Sequence, residues 1–125
     1  MTLGAWKKVR DGLGVRAKEV DFVYITVDPK RDTEERLRER LATFSPDFIG
    51  LSGTPAELDK VYRSYDVDRE EARVPGNETE YVLGHTSTTF VIDRRGRSRL
   101  ALPYLSMTGG DYELAEGVGK LLSER

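Results

Sequence analysis

Few residues in this sequence could do chemistry. Its 125 residues contain one histidine, His85, two methionines, Met1 and Met107, and no cysteine. Nucleophilic catalysis needs a nucleophile held beside a base, and spacing along the chain gives no such pair. The chain is therefore not read as an enzyme. Thiol–disulfide exchange and thiol peroxidase chemistry are excluded because both need a reactive thiol. A soft metal ion selects thiolate and thioether donors, and a single histidine fills one position of a site that needs two or three. The other residue of interest is Asp28, which with Pro29 ends the strand part of the run Val23-Tyr24-Ile25-Thr26-Val27-Asp28-Pro29-Lys30-Arg31-Asp32-Thr33. In an α/β domain, the loop at the carboxyl end of a strand commonly carries the site.

The elements that would position these residues follow from pattern. Residues 20–27 are rich in β-branched and aromatic side chains on both parities, as expected of an interior strand covered on both faces. Pro29 stops it. Asp32 then reads as a helix cap, with Glu35 completing a capping box, and Leu37, Leu41 and Phe44 form one apolar helix face. Upstream, Leu3, Trp6, Val9 and Leu13 mark an amphipathic helix whose end Gly12 and Gly14 fray. Residues 48–52 are a short strand candidate. Thr54, Pro55 and Glu57 then repeat the start signal for a helix with Leu58, Val61, Tyr62 and Tyr65 on its buried face.

Residues 66–80 form the longest irregular stretch, with Pro75-Gly76-Asn77 as a turn signal and room for a small hairpin. Residues 88–93 and 98–102 read as a hairpin in which Gly96 supplies a positive φ. The cluster Arg94-Arg95-Gly96-Arg97 between them reads as a solvated turn. Leu114, Val118, Leu121 and Leu122 mark a last helix. The order predicts one α/β domain over residues 1–125, a mixed sheet flanked by helices.

Twenty basic against 22 acidic side chains, interleaved, give no field for a polyanion, so nucleic acid is not an expected partner. No stretch reaches the roughly 18 apolar residues of a membrane span, and the N-terminus lacks a signal-peptide core, so the chain as written reads as cytoplasmic.

Four ordered patches resemble the Sco/SenC family of thioredoxin-fold copper proteins that assist assembly of the copper site of cytochrome c oxidase. They are the run from Val23 to Thr33, then Phe48-Ile49-Gly50-Leu51-Ser52-Gly53-Thr54, Tyr81-Val82-Leu83-Gly84-His85-Thr86-Ser87 and Val91-Ile92-Asp93-Arg94-Arg95-Gly96. The Leu-Pro-Tyr before the last helix also fits. The resemblance implies a thioredoxin-like mixed sheet, copper delivery or thiol-redox assistance as the role, and a cytochrome c oxidase subunit as partner. It also implies a membrane anchor facing the periplasm.

His85 corresponds to a copper ligand of the family, and Asp28 to its acid near the site. The family's two initial strands and Cys-x-x-x-Cys loop have no counterpart, so the chain reads as an N-terminally truncated version that binds no copper tightly. In such sheets the missing strand lies between those corresponding to residues 20–27 and 88–93. Its absence predicts either direct pairing of those two strands or self-association through their edges. Each residue also has a plain reading: His85 as a structural or surface side chain, Asp28 as a strand terminator, Asp32 as a cap. The alternative function is a non-catalytic thioredoxin-like binding or structural module acting through sheet edges or the 66–80 loop.

Overall fold

The computed structural model describes residues 2–77, 80–85, 87–103 and 110–124, with the side chains of Val82 and His85 outside that description. The elements run α1 (Thr2–Leu13), a 3-10 segment (Gly14–Glu19), β1 (Val23–Ile25), α2 (Glu34–Ala42), β2 (Ile49–Leu51) and α3 (Pro55–Ser64). They continue with β3 (Arg69–Arg73), β4 (Tyr81–His85), β5 (Thr88–Ile92), β6 (Ser98–Pro103) and α4 (Gly110–Ser123). Parallel and antiparallel pairing both occur, as a mixed architecture requires. Among the described residues the pairing falls into three separate two-stranded ladders: β1 parallel to β2, β3 antiparallel to β4, and β5 antiparallel to β6.

Two expectations are corrected. Residues 66–80 are not simply a loop, since β3 lies within them and pairs with β4, His85 standing opposite Arg69. The turn has type II form, with Gly76 at φ +81° and the Asn77 amide donating to the Val74 carbonyl at 3.1 Å. The cap of α2 is Thr33, whose hydroxyl accepts from the Arg36 amide at 3.2 Å, one residue beyond the expected Asp32. Of the two outcomes expected for the edges of β1 and β5, direct pairing with each other is not found among the described residues. Helical residues pack on β5 instead: the Trp6 indole donates to the Thr89 hydroxyl at 3.1 Å, and the Tyr65 ring lies 4.9 Å from Phe90. The capping box of α3 forms as expected, with Thr54 and Glu57 bonded reciprocally at 3.0 and 3.2 Å.

The core gathers Leu3, Trp6 and Val9 of α1, Leu37 and Leu41 of α2, and Leu114 and Val118 of α4 around the ladders. Phe22 and Phe48 stack beside Trp6, with ring centroids 5.2 to 6.0 Å apart, the spacing at which aromatic pairs add to simple burial. Gly50 in β2 faces α2 so closely that a Cβ there would stand 2.7 Å from both Leu37 and Leu41.

The β5–β6 hairpin turns on Asp93. Its carboxylate accepts from the backbone amides of Arg95 at 2.9 Å and Arg97 at 3.0 Å, and from the side chains of Arg97 and Arg99, both at 3.3 Å. The Arg97 amide foremost, then the Arg95 amide and the Arg99 guanidinium, overcome partial desolvation and lower the Asp93 pKa from the usual 3.8 to about 2. A carboxylate ionised more readily in the folded state stabilises that state above its ordinary pKa, and the contribution disappears as pH falls through the folded value. The stability difference between the parent and Asp93→Asn should therefore be constant above about pH 5 and shrink between about pH 4 and 2, measured by urea unfolding.

Candidate functional site

The loop that follows β1 is organised by Thr26, which is completely buried. Its amide continues the parallel ladder by donating to the Leu51 carbonyl at 3.1 Å. Its hydroxyl donates to Asp32 at 2.7 Å and accepts from the Asp28 amide at 2.9 Å, and its carbonyl accepts from the Tyr62 hydroxyl at 2.6 Å. Burial raises the Tyr62 pKa, so the phenol remains a donor at neutral pH. Asp32, displaced from the cap by Thr33, instead joins Thr26 to Arg40, whose guanidinium is 3.1 Å away. The loop closes on itself as the Arg31 and Asp32 amides donate to the Asp28 carbonyl at 3.2 and 2.8 Å.

Asp28 is buried at 7% exposure and faces the β3–β4 hairpin. The Tyr81 hydroxyl donates to one of its oxygens at 2.5 Å, and the Arg31 guanidinium lies 3.5 Å from the other. Arg31 also donates to the Tyr81 carbonyl and stacks on its ring, 3.7 Å from the centroid. From β3, Arg69 donates to the Val27 carbonyl at 2.7 Å. The hairpin carrying His85 is thus fastened to the loop carrying Asp28 through Tyr81, Arg31 and Arg69. The hydrogen bond to Asp28 is the main cause that raises the Tyr81 pKa above its usual 10, with desolvation adding to it.

Asp28 is therefore a clamped carboxylate within this loop–hairpin junction. His85 joins β4 by its backbone, and its side chain lies outside the described residues, as do Met1 and Met107. Among the described residues, no group of three or more His, Cys, Asp or Glu side chains is placed to hold a metal ion. For a soft ion such as Cu(I) the whole sequence offers one imidazole, two thioethers and no thiolate.

Sequence reasoning missed Thr26, Arg31, Tyr81 and Arg69 as a unit. One local signal was available. A threonine two residues before an aspartate at a strand end is placed to bond the loop backbone. The partners from α3 and the hairpin leave no local mark. Replacing Thr26 by valine keeps shape but strands the Asp28 amide and removes a donor from Asp32, so unfolding free energy should fall by about 1–3 kcal/mol in urea titration. Replacing Tyr81 by phenylalanine keeps the ring under Arg31 and should speed amide exchange in β3 and β4 while leaving β5 and β6 unchanged. In the parent, the contribution of Tyr81 should be present below about pH 10 and fade as pH rises further, because its folded pKa is the higher one.

Comparison with known proteins accounts for this scaffold. The SCO1/SenC family model matches residues 1–123. An SCO2-like protein of Rickettsia prowazekii is 39% identical over 75 residues, covering 60% of this chain and 37% of that protein. The mouse mitochondrial SCO1 homologue is 34% identical over 100 residues, covering 79% of this chain and 32% of the relative. The chain thus spans about a third of the length of these relatives. Copper-bound ScoI of Bradyrhizobium japonicum superposes with a TM-score of 0.80 at 33% identity, covering 96% of this chain and 73% of that one. Apo Sco1 of Thermus thermophilus gives 0.81 at 31% identity, covering 96% and 69%. The thioredoxin-like α/β arrangement is shared with them, and the Cys-x-x-x-Cys motif is absent from a sequence without cysteine. This chain belongs to the SCO1/SenC family.

Proposed function

We propose that this chain is a Sco-like domain whose family role is copper delivery or thiol-redox assistance in cytochrome c oxidase assembly, and that by itself it cannot hold copper tightly. The observation that carries the reading is a family match across residues 1–123 in a sequence that contains no cysteine. In this reading His85 is the remnant copper ligand and Asp28 an acid near it, held by Tyr81 and Arg31 so that the β3–β4 hairpin is presented in one position. In the family role copper is cargo, passed to a cytochrome c oxidase subunit, and this cysteine-free chain keeps that scaffold without a complete site of its own, as a non-enzyme. Copper-bound ScoI among its structural neighbours supports copper as the cargo. One imidazole in this donor set leaves Cu(I) short of the soft ligands it selects.

A second reading, a thioredoxin-like binding module that uses its open strand edges, is favoured by one observation. Strands β1 and β5 line the same cleft without pairing across it.

Anaerobic titration of the chain with Cu(I) against a chromophoric chelator tests the first reading. The expected result is no submicromolar binding, and identical curves for the parent and His85→Ala. Submicromolar binding that disappears in His85→Ala would show a complete site and overturn the claim of metal incompetence.

A further inference from the structure

The β3–β4 hairpin is attached to the β1 loop near both ends of β4, and the two attachments converge. At one end the Tyr81 hydroxyl donates to the Asp28 carboxylate at 2.5 Å, with Arg31 stacked on the Tyr81 ring. At the other end the Arg69 Nε donates to the Val27 carbonyl at 2.7 Å, and the register sets Arg69 opposite His85. Val27 and Asp28 are adjacent in the chain, whereas Tyr81 and His85, the two ends of β4, stand about 13 Å apart along a strand. Two arms rooted at opposite ends of the hairpin thus meet at one point of the loop. A strand held by one arm can swing about it, and a triangle of arms prevents the swing.

Core packing does not fix this hairpin. Along β3, Arg69 is half-buried and the four residues from Glu70 to Arg73 are exposed, so no apolar side chain of that strand anchors it. The Arg69 arm is itself held in place. While its Nε bonds Val27, its Nη2 lies 3.6 Å from Glu71, which is two residues along the same strand face and also meets Lys30 of the loop at 3.4 Å. Burial raises the Tyr62 pKa and the Arg69 charge opposes that rise, which sets the guanidinium near α3 as well. A planar fork holds two acceptors in fixed directions, as an ammonium does not.

We infer that Arg69 is the positioning residue for His85: it sets where the end of β4 that carries the candidate ligand lies relative to Asp28, while Tyr81 sets the far end. The placement acts through backbone, since His85 is the ladder partner of the residue that grips the loop. The use of this placement rests on the reading of His85 as a remnant copper ligand, and the mounting itself does not.

Three variants of the full chain test it: Arg69→Met, which keeps the stem and removes the fork, Arg69→Lys, and Tyr81→Phe. Amide exchange and N–H residual dipolar couplings are read by NMR along both hairpins. Arg69→Met should speed exchange about tenfold at residues 69–71 and 83–85, and less at 73 and 81. Tyr81→Phe should give the reverse gradient, and Arg69→Lys should fall between the parent and Arg69→Met. In Arg69→Met and in Tyr81→Phe the couplings of residues 81–85 should shrink as the hairpin swings on its remaining arm, with those of residues 88–92 unchanged. A general loss of stability would instead speed exchange in both hairpins and leave the couplings of the folded state alone. Unchanged exchange at 83–85 in Arg69→Met, the same gradient in Arg69→Met and Tyr81→Phe, or acceleration shared equally with β5 and β6 would overturn the proposal. Copper enters none of these readouts, so submicromolar Cu(I) binding in the chelator titration would sink the claim of metal incompetence and leave the role of Arg69 standing.

Discussion

Four hydrogen bonds to one fully buried threonine hold the centre of this protein together. Thr26 connects β2 through its amide, α3 through its carbonyl, and the following loop and Asp32 through its hydroxyl. Buried polar groups are costly unless bonded, and no buried side-chain polar atom among the described residues lacks a partner. The bonds on Thr26 therefore constrain geometry as much as they stabilise it. Asp32 ties to α2 through Arg40, and Asp28 ties to the β3–β4 hairpin through Tyr81. Moving any one of these elements breaks a bond on its neighbour.

What could be read from sequence follows the range of the interactions. The capping box at Thr54 and Glu57 and the positive φ at Gly96 are local, written in three or four adjacent residues, and both appear in the structure. The cap at Thr33 was missed by one residue because Asp32 is an equally good cap in isolation. Only its bonds to Thr26 and Arg40, which are tertiary, take it elsewhere. The β3 strand was hidden for a related reason. Its sequence, Arg-Glu-Glu-Ala-Arg, has no apolar alternation, and its pairing with β4 makes it a strand. Asp28 could be read from sequence as the acid that ends a strand, but the tyrosine and arginine that hold it come from the hairpin and from the loop's own curvature.

The heavy charge of the chain also has an internal use. Exposed ion pairs contribute little singly. Several arginines here instead end on fixed acceptors that join distant segments. Arg69 reaches the Val27 carbonyl, Arg16 the Leu122 carbonyl at 2.8 Å, and Arg99 makes a forked contact with Glu124 at 2.9 and 3.0 Å. A planar guanidinium with several donors suits such cross-links better than an ammonium does. They join loops and helix ends that the small apolar core does not reach.

The packing of Gly50 against α2 sets a rule for sequence change along β2. Leu37 and Leu41 are both 1% exposed and have nowhere to retreat, so any side chain at position 50 would lift the helix from the strand. Ile49 and Leu51, on the opposite face, are 38% and 46% exposed and meet no such limit. Three consecutive residues thus carry opposite mutational tolerance: a side chain at the smallest must displace buried leucines, whereas the two apolar ones flanking it are partly open to solvent and should tolerate change better.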